Sequence, residues 1–186
     1  APGMGGAVSA LVLGAGGFLG LNLVEALKAK GELPTCGRRA RSNVLALRKL
    51  GARLVTADLD RPETLPAALE GQAVVFHLAG HYPRLSLDPR LTVTTAVRQT
   101  AVLLDAAAQA GVQRLVYVSS TATVVAAPGG ASDESHVHAA EPRAGAYHRA
   151  KWHMEELIRA EDRFQTVTVC PGACLGAHDW KVGTAA

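Results

Sequence analysis

Val12-Leu13-Gly14-Ala15-Gly16-Gly17-Phe18-Leu19-Gly20 decides how this chain is read. The run links a strand-like stretch, Val8 to Leu13, to a helix-like one that continues to Lys30. In that context each glycine has a mechanical job. One permits a tight turn, one lets backbone approach a pyrophosphate, and one lets the helix pack close to the strand. The helix N-terminus then presents unpaired N–H groups and a positive dipole end to the phosphates. Glycines also build ordinary turns. The strand before and the helix after turn this run into an expected dinucleotide-binding loop of Gly14, Gly16, Gly17, Phe18, Leu19 and Gly20.

Working outward, short β-like runs alternate with helical patterns along the whole chain. Strands are expected at Val8–Leu13, Leu33–Cys36, Arg53–Thr56, Val74–Leu78, Leu115–Ser119 and Thr166–Cys170. Helices are expected at Leu19–Lys30, Asn43–Leu50, Glu63–Leu69, Thr92–Ala110 and Tyr147–Arg163. The strands are nearly continuous in hydrophobicity, as they must be when both sheet faces are covered. Repeated strand–helix–strand order implies right-handed crossovers. The expected fold class is α/β, a doubly wound parallel sheet of about six to seven strands with helices on both faces. Pro34 makes the second strand the least regular. The stretch from Ala126 to Arg143, rich in Ala, Pro, Gly, Ser and His, reads as a mobile loop.

The 186 residues suit a single domain with a substantial core. Composition is 48% hydrophobic and 4% aromatic, with a net charge of +3 spread along the chain, which describes a globular protein with a mildly basic surface. No basic stripe with stacking aromatics suggests nucleic-acid binding. No apolar run approaches the ~20 residues of a membrane helix. Ala1 to Gly6 lacks the charged start and apolar centre of a signal peptide. Three cysteines, Cys36, Cys170 and Cys174, make an odd count without metal-ligand spacing, so reduced thiols and a cytoplasmic location are expected. His136, His138, His148 and His153 cluster in sequence, but two lie in the loop and the other two are five apart, so no metal site is expected.

Arg38 and Arg39 follow the expected second strand, where an NAD-preferring fold presents an acidic residue to the ribose 2′-hydroxyl. No Asp or Glu occurs from Leu33 to Leu50. A guanidinium there can form paired, charge-assisted bonds to a 2′-phosphate, which favours NADP over NAD. A plain solvated basic loop is the competing reading. Asp58-Leu59 follows the third strand, where the carboxylate can accept from an adenine amino group or cap the next helix. Tyr147 and Lys151, four apart on an amphipathic helix, share one face. A tyrosine with an ordinary pKa near ~10 is a poor acid–base catalyst at neutral pH unless a cation stabilises its phenolate. Lys151 and an oxidised nicotinamide ring would supply that cation. Ser119, Ser120 and Thr121 end the fifth strand, at the sheet edge where ligands of such folds bind. Each is a candidate to hold a substrate carbonyl, although strand-end hydroxyls also cap turns.

Taken in order, the glycine turn, Asp58-Leu59, His77-Leu78-Ala79-Gly80, Tyr117-Val118-Ser119-Ser120-Thr121, Tyr147-x-x-x-Lys151 and Pro171-Gly172-x-x-x-Gly176 resemble the extended short-chain dehydrogenases/reductases. The chain is similar to their NAD-dependent epimerase/dehydratase group, including the dihydroflavonol reductase-like branch. The resemblance implies a Rossmann-type sheet, a catalytic triad of Thr121, Tyr147 and Lys151 with Ser120 as the fallback for Thr121, and a cofactor, NADP or alternatively NAD. It also implies that Leu78, Ala79, Gly80, Pro171, Gly172, Tyr147 and Lys151 line that cofactor.

Two departures stand out. The family's Val-Asn-Val-x-Gly-Thr corresponds to Thr95-Ala96-Val97-Arg98-Gln99-Thr100, which puts Ala96 in place of the asparagine. The chain also stops ten residues after Gly176, where family members continue into a smaller substrate-binding region. The resemblance therefore implies a single cofactor-binding domain, residues 1–186, belonging to a longer enzyme.

The leading expectation is an NADP-preferring oxidoreductase acting on a carbonyl or secondary alcohol of a small molecule. A nucleotide-sugar epimerase or dehydratase using the same triad is the first alternative. A non-catalytic nucleotide-sensing module is the second, although a sensor has no need of a phenolate. The expected partners are the small-molecule substrate and, as an assembly, a homodimer, with no nucleic acid and no membrane.

Overall fold

The computed structural model describes residues 9–80, 88–127 and 129–180. Six strands form one sheet: β1 (Ala10–Leu13), β2 (Thr35–Arg38), β3 (Arg53–Thr56), β4 (Val74–His77), β5 (Arg114–Val118) and β6 (Gln165–Val169). All neighbours pair parallel, in the order β3-β2-β1-β4-β5-β6. The helices are α1 (Phe18–Ala29), α2 (Leu45–Lys49), α3 (Leu65–Leu69), α4 (Pro89–Gln109) and α5 (Ala146–Arg159). The first expected strand residue, Val8, lies outside the described residues.

Alternation along β1 shows why both faces are covered. Leu11 and Leu13 enter one core cluster with Leu103, Tyr117 and Ile158, while Val12 enters the opposite one with Leu21, Val24 and Leu47. Successive side chains of a strand point to opposite faces, so a wholly apolar β1 needs a helical layer on each side. The sheet order reverses between β1 and β4, and in such sheets ligands bind in the crevice outside the carboxyl ends of the strands at that reversal.

Several boundaries differ from the expectation, each for a local reason. β2 starts at Thr35, with Leu33 and Pro34 left out and Arg38 included. Pro34 has no N–H to give to the ladder, and Thr35 is the residue in register with Leu11. Arg38 thus ends the strand and only Arg39 follows it. α4 begins at Pro89 because Asp88 caps it, accepting from the N–H groups of Arg90 (2.9 Å) and Leu91 (3.3 Å). α5 ends at Arg159, short of Arg163. Glu161 takes the Arg163 backbone N–H at 2.9 Å, and such local side-chain bonds compete with helix continuation. The stretch Ala126–Arg143, Pro128 excepted as undescribed, is irregular but tied down. Val124 bridges Val137, and Trp152 donates from Nε1 to the His138 carbonyl at 2.9 Å.

Among the described residues no helix is long and apolar enough to cross a membrane. The cysteines are free. Burial pushes the Cys36 thiol up to about 11, which makes it a packing group.

Candidate dinucleotide and catalytic site

The glycine turn is held from within. Gly17 donates to the Gly14 carbonyl at 3.0 Å, and Gly17 caps α1 without any side-chain hydrogen bond. The first N–H groups of α1 therefore face outward with no side-chain acceptor, the arrangement that receives a phosphate. Gly14 has φ +84°, and a Cβ on it would lie 2.7 Å from the Ala79 nitrogen. Only glycine permits that turn and lets the loop after β1 lie against the loop after β4.

A cavity of about 840 Å³ opens at this crevice, inside the range of roughly 300–1,000 Å³ usual for small-molecule sites. Its walls include Gly14, Gly16, Gly17, Arg38, Arg39, Asp58, Leu59, Leu78, Ala79 and Gly80, so ten of the residues expected from sequence converge on it. Arg41 and Ser42 line it as well. Arg39 N–H donates to Ser42 Oγ and Ser42 N–H returns to the Arg39 carbonyl, both at 3.0 Å. That reciprocal turn places the arginines beside the cleft. The acid-free run was the one trace of Arg41 and Ser42 in the sequence. Asp58 accepts the Asp60 N–H at 3.1 Å, a local turn ahead of the 3-10 turn Pro62–Thr64 rather than a cap on that turn itself.

The far wall comes from residues that sequence reasoning did not single out. Asn22 donates to the Ala177 carbonyl at 2.8 Å, and His178 Nε2 meets Glu25 Oε1 at 2.8 Å. These contacts lay the segment after β6 across α1, and His178 and Trp180 thereby reach the cleft.

A smaller cavity of about 260 Å³ adjoins the first through Gly14, Gly17 and Leu78. Phe18, Leu19, Gly20, Val118, Ser119, Tyr147 and Lys151 complete it. Tyr147 is 41% exposed whereas Lys151, one turn on, is 5% exposed. Lys151 Nζ donates to the Val118 carbonyl at 2.7 Å and stands 4.8 Å from the centre of the Tyr117 ring. Burial pushes this ammonium down to about 8, against the opposing pull of the Glu155 charge. The Ser119 hydroxyl is buried in the same cavity with no hydrogen-bond partner among the described residues. A buried orphan hydroxyl is costly unless a ligand completes it.

Thr121, Pro171 and Gly172 line neither cavity. They meet one another instead, and Thr121 N–H donates to the Pro171 carbonyl at 3.0 Å. A Cβ on Gly172 would lie 3.9 Å from Thr121 Oγ1. Ser120 is turned to local work and caps the 3-10 turn Thr121–Thr123, its Oγ accepting the Ala122 N–H at 3.2 Å. His77 is 1% exposed, neither of its ring nitrogens has a partner among the described residues, and its ring lies 5.5 Å from that of Tyr117. Burial, then the Lys151 charge, pull it down to about 3, so it stays neutral beside the site. No group of three or more metal-binding side chains occurs among the described residues.

Comparison with known proteins agrees with this architecture. A ketoreductase from Stigmatella aurantiaca, named for 4-hydroxy-2-methyl-3-oxo-4-farnesyl-3,4-dihydroquinoline-1-oxide, is 33% identical over 171 residues, covering 90% of this chain and 51% of its own. Sterol demethylase protein B of Methylococcus capsulatus is 32% identical over 176 residues, 94% of this chain and 54% of its own. The crystal structure of a nucleoside-diphosphate-sugar epimerase from Pseudomonas aeruginosa superposes with a TM-score of 0.74 at 27% identity, over 88% of this chain and 51% of that one. The chain spans about half the length of the curated relatives it matches. Residues 10–183 match the NAD dependent epimerase/dehydratase family, and with the glycine turn and the crevice at the β1–β4 reversal, the chain belongs to that family.

Proposed function

We propose that this chain is the cofactor-binding part of an NADP-preferring oxidoreductase that interconverts a carbonyl and a secondary alcohol on a small molecule. The observation that carries the reading is one cavity holding the glycine turn, Tyr147 and Lys151 together. The residues fit a dinucleotide. Gly17 leaves open space where a pyrophosphate would lie, with only the Gly14 oxygen within 4 Å of its Cβ position, and Ser119 offers a buried hydroxyl without a partner among the described residues. NADP, when bound, supplies or takes the hydride.

The chain's own groups do the rest. Tyr147, at the open face of the cavity, gives or takes the proton at the substrate oxygen. Lys151, fixed by the Val118 carbonyl, stabilises the phenolate and holds ribose hydroxyls. Thr121, at the start of the turn after β5, donates to the substrate oxygen, where a fixed donor stabilises developing charge. Ser120 is the weaker choice because its hydroxyl is taken by the Ala122 N–H. The same triad serves a transient oxidation, so a sugar-nucleotide epimerase is the second reading, favoured by the Pseudomonas aeruginosa structure.

Cofactor choice gives a direct test. Arg38 ends β2 on the cleft wall, and its Nη1 donates to the Ala40 carbonyl at 3.3 Å. NADPH is expected to bind more tightly than NADH, and Arg38→Ala to weaken NADPH alone. A charge-assisted bond is worth about 1.5–3 kcal/mol, or roughly ten- to a hundredfold in Kd. Fluorescence titration with both cofactors measures it. Equal weakening of NADPH and NADH would remove Arg38 from the 2′-phosphate. Oxidation of NADPH by the full-length polypeptide with a panel of ketones, followed by absorbance, tests the reaction class, and redox-neutral conversion of a nucleotide sugar would favour the epimerase.

A further inference from the structure

Glu155 lies one turn beyond Lys151 on α5 and is 3% exposed. A carboxylate out of water is costly unless paired and hydrogen-bonded. Its partners come from well-separated places in the sequence. Thr123 Oγ1 donates to Glu155 Oε1 at 2.7 Å, and Cys170 Sγ lies 3.7 Å from the same oxygen. Arg159 Nη2 stands 3.5 Å from Oε2. Thr123 is fully buried and closes the turn that begins at Thr121. Cys170 precedes Pro171, the acceptor of the Thr121 N–H. The turn carrying Thr121 is thus tied at one end to the exit of β6 and at the other, through Thr123, to the helix that carries Tyr147 and Lys151.

Charge points the same way. Among the described residues the ionisable groups bearing on Lys151 are His77 on β4, Tyr117 on β5, Tyr147 and Glu155 on α5, and Cys170 after β6. His77 is neutral, and burial raises the Cys170 thiol. Among the described residues Glu155 is the carboxylate one helical turn from Lys151, on the same face of α5, and its charge opposes the desolvation of Lys151.

We propose that Glu155 is a positioning residue of this site: its buried carboxylate ties the Thr121–Thr123 turn to α5 and keeps Lys151 an ammonium. The proposal rests on the reading of Thr121, Tyr147 and Lys151 given above. The two roles separate by substitution. Glu155→Gln keeps the size and can still accept the Thr123 proton, but removes the charge. Thr123→Val keeps the charge and removes the tie.

The experiment uses the full-length polypeptide without cofactor, labelled at lysine Cε, with the Lys151 resonance assigned by its loss in Lys151→Met. In Glu155→Gln the Lys151 titration midpoint is expected to fall by about one pH unit, since removing a nearby negative charge disfavours the ammonium. In Thr123→Val the midpoint should stay put, while kcat falls about tenfold or more at unchanged KM for NADPH, because a small misplacement of a catalytic group is costly. Thr123→Ser should restore kcat. An unmoved Lys151 midpoint in Glu155→Gln, or wild-type kcat in Thr123→Val, would overturn the proposal. If Glu155→Gln does not fold, Glu155→Asp decides. It keeps the charge but shortens the tie, so an unmoved midpoint with lowered kcat is expected and wild-type kcat overturns. Failure of the functional reading looks different: Lys151→Met would bind NADPH as tightly as wild type, and the lysine titration would still report on Glu155.

Discussion

The full-length polypeptide carrying Tyr147→Phe is expected to bind NADPH normally and to lose about a thousandfold in turnover, within the range a positioned acid–base group contributes. The substitution removes one oxygen from a side chain that is 41% exposed at the mouth of the smaller cavity, so packing changes little. Lys151→Met should behave differently. Its ammonium is proposed to serve phenolate and ribose together, so cofactor affinity and turnover should fall as one. Single-turnover hydride transfer beside fluorescence titration separates the two patterns. Near-normal transfer in Tyr147→Phe would end the assignment of Tyr147, and a full-length wild type that binds NADPH but turns nothing over would favour a sensor.

Gly20→Val and Gly17→Val are expected to fail in opposite ways. A Cβ on Gly20 would lie 2.6 Å from Ala15 Cα and closer still to the Gly14 carbonyl oxygen. Those neighbours are backbone, so they cannot swing aside. Overpacking of this kind costs about 3 kcal/mol or more, which lowers Tm by roughly 6–12 °C in a domain of this size. At Gly17 the nearest atom to a Cβ is the Gly14 oxygen at 3.3 Å, with nothing else within 4 Å. Gly17→Val should therefore fold normally and lose NADPH binding, because its side chain would project into the proposed pyrophosphate position. Thermal unfolding and NADPH titration read both. Wild-type stability in Gly20→Val, or wild-type affinity in Gly17→Val, would refute the respective role.

The glycine turn was legible because its chemistry is local: turn, close approach and helix start occupy nine consecutive residues. The doubly wound parallel sheet followed from the same logic, since alternating strands and helices leave few ways to wind. Boundaries shifted where one side chain outweighed the periodicity, as with Pro34 at β2, Asp88 at α4 and Glu161 after α5. The three consecutive hydroxyls Ser119, Ser120 and Thr121 could not be ranked from spacing. One lines the cavity, one caps a turn and one begins that turn, and the division depends on how the chain leaves β5. Glu155 left no trace in the sequence because its partners, Thr123 and Cys170, lie 32 and 15 residues away. His178 and Trp180 were invisible for the same reason, since only the docking of their segment on α1 brings them to the cleft.

His77 has a consequence for the whole chain. The folded protein leaves this imidazole unprotonated down to about pH 3, whereas an unfolded chain accepts a proton on it near pH ~6.5. Between those values the unfolded state binds one proton more, so acid drives the equilibrium toward unfolding. The stability that His77 contributes is complete above its unfolded pKa and drains by about 1.4 kcal/mol for each pH unit below it. Urea unfolding at pH 7 and pH 5 should show the midpoint falling on acidification, and His77→Phe, which takes up no proton, should flatten that slope. A buried imidazole that no proton reaches in the folded state thereby becomes one of the groups that decide how much acidity the fold withstands.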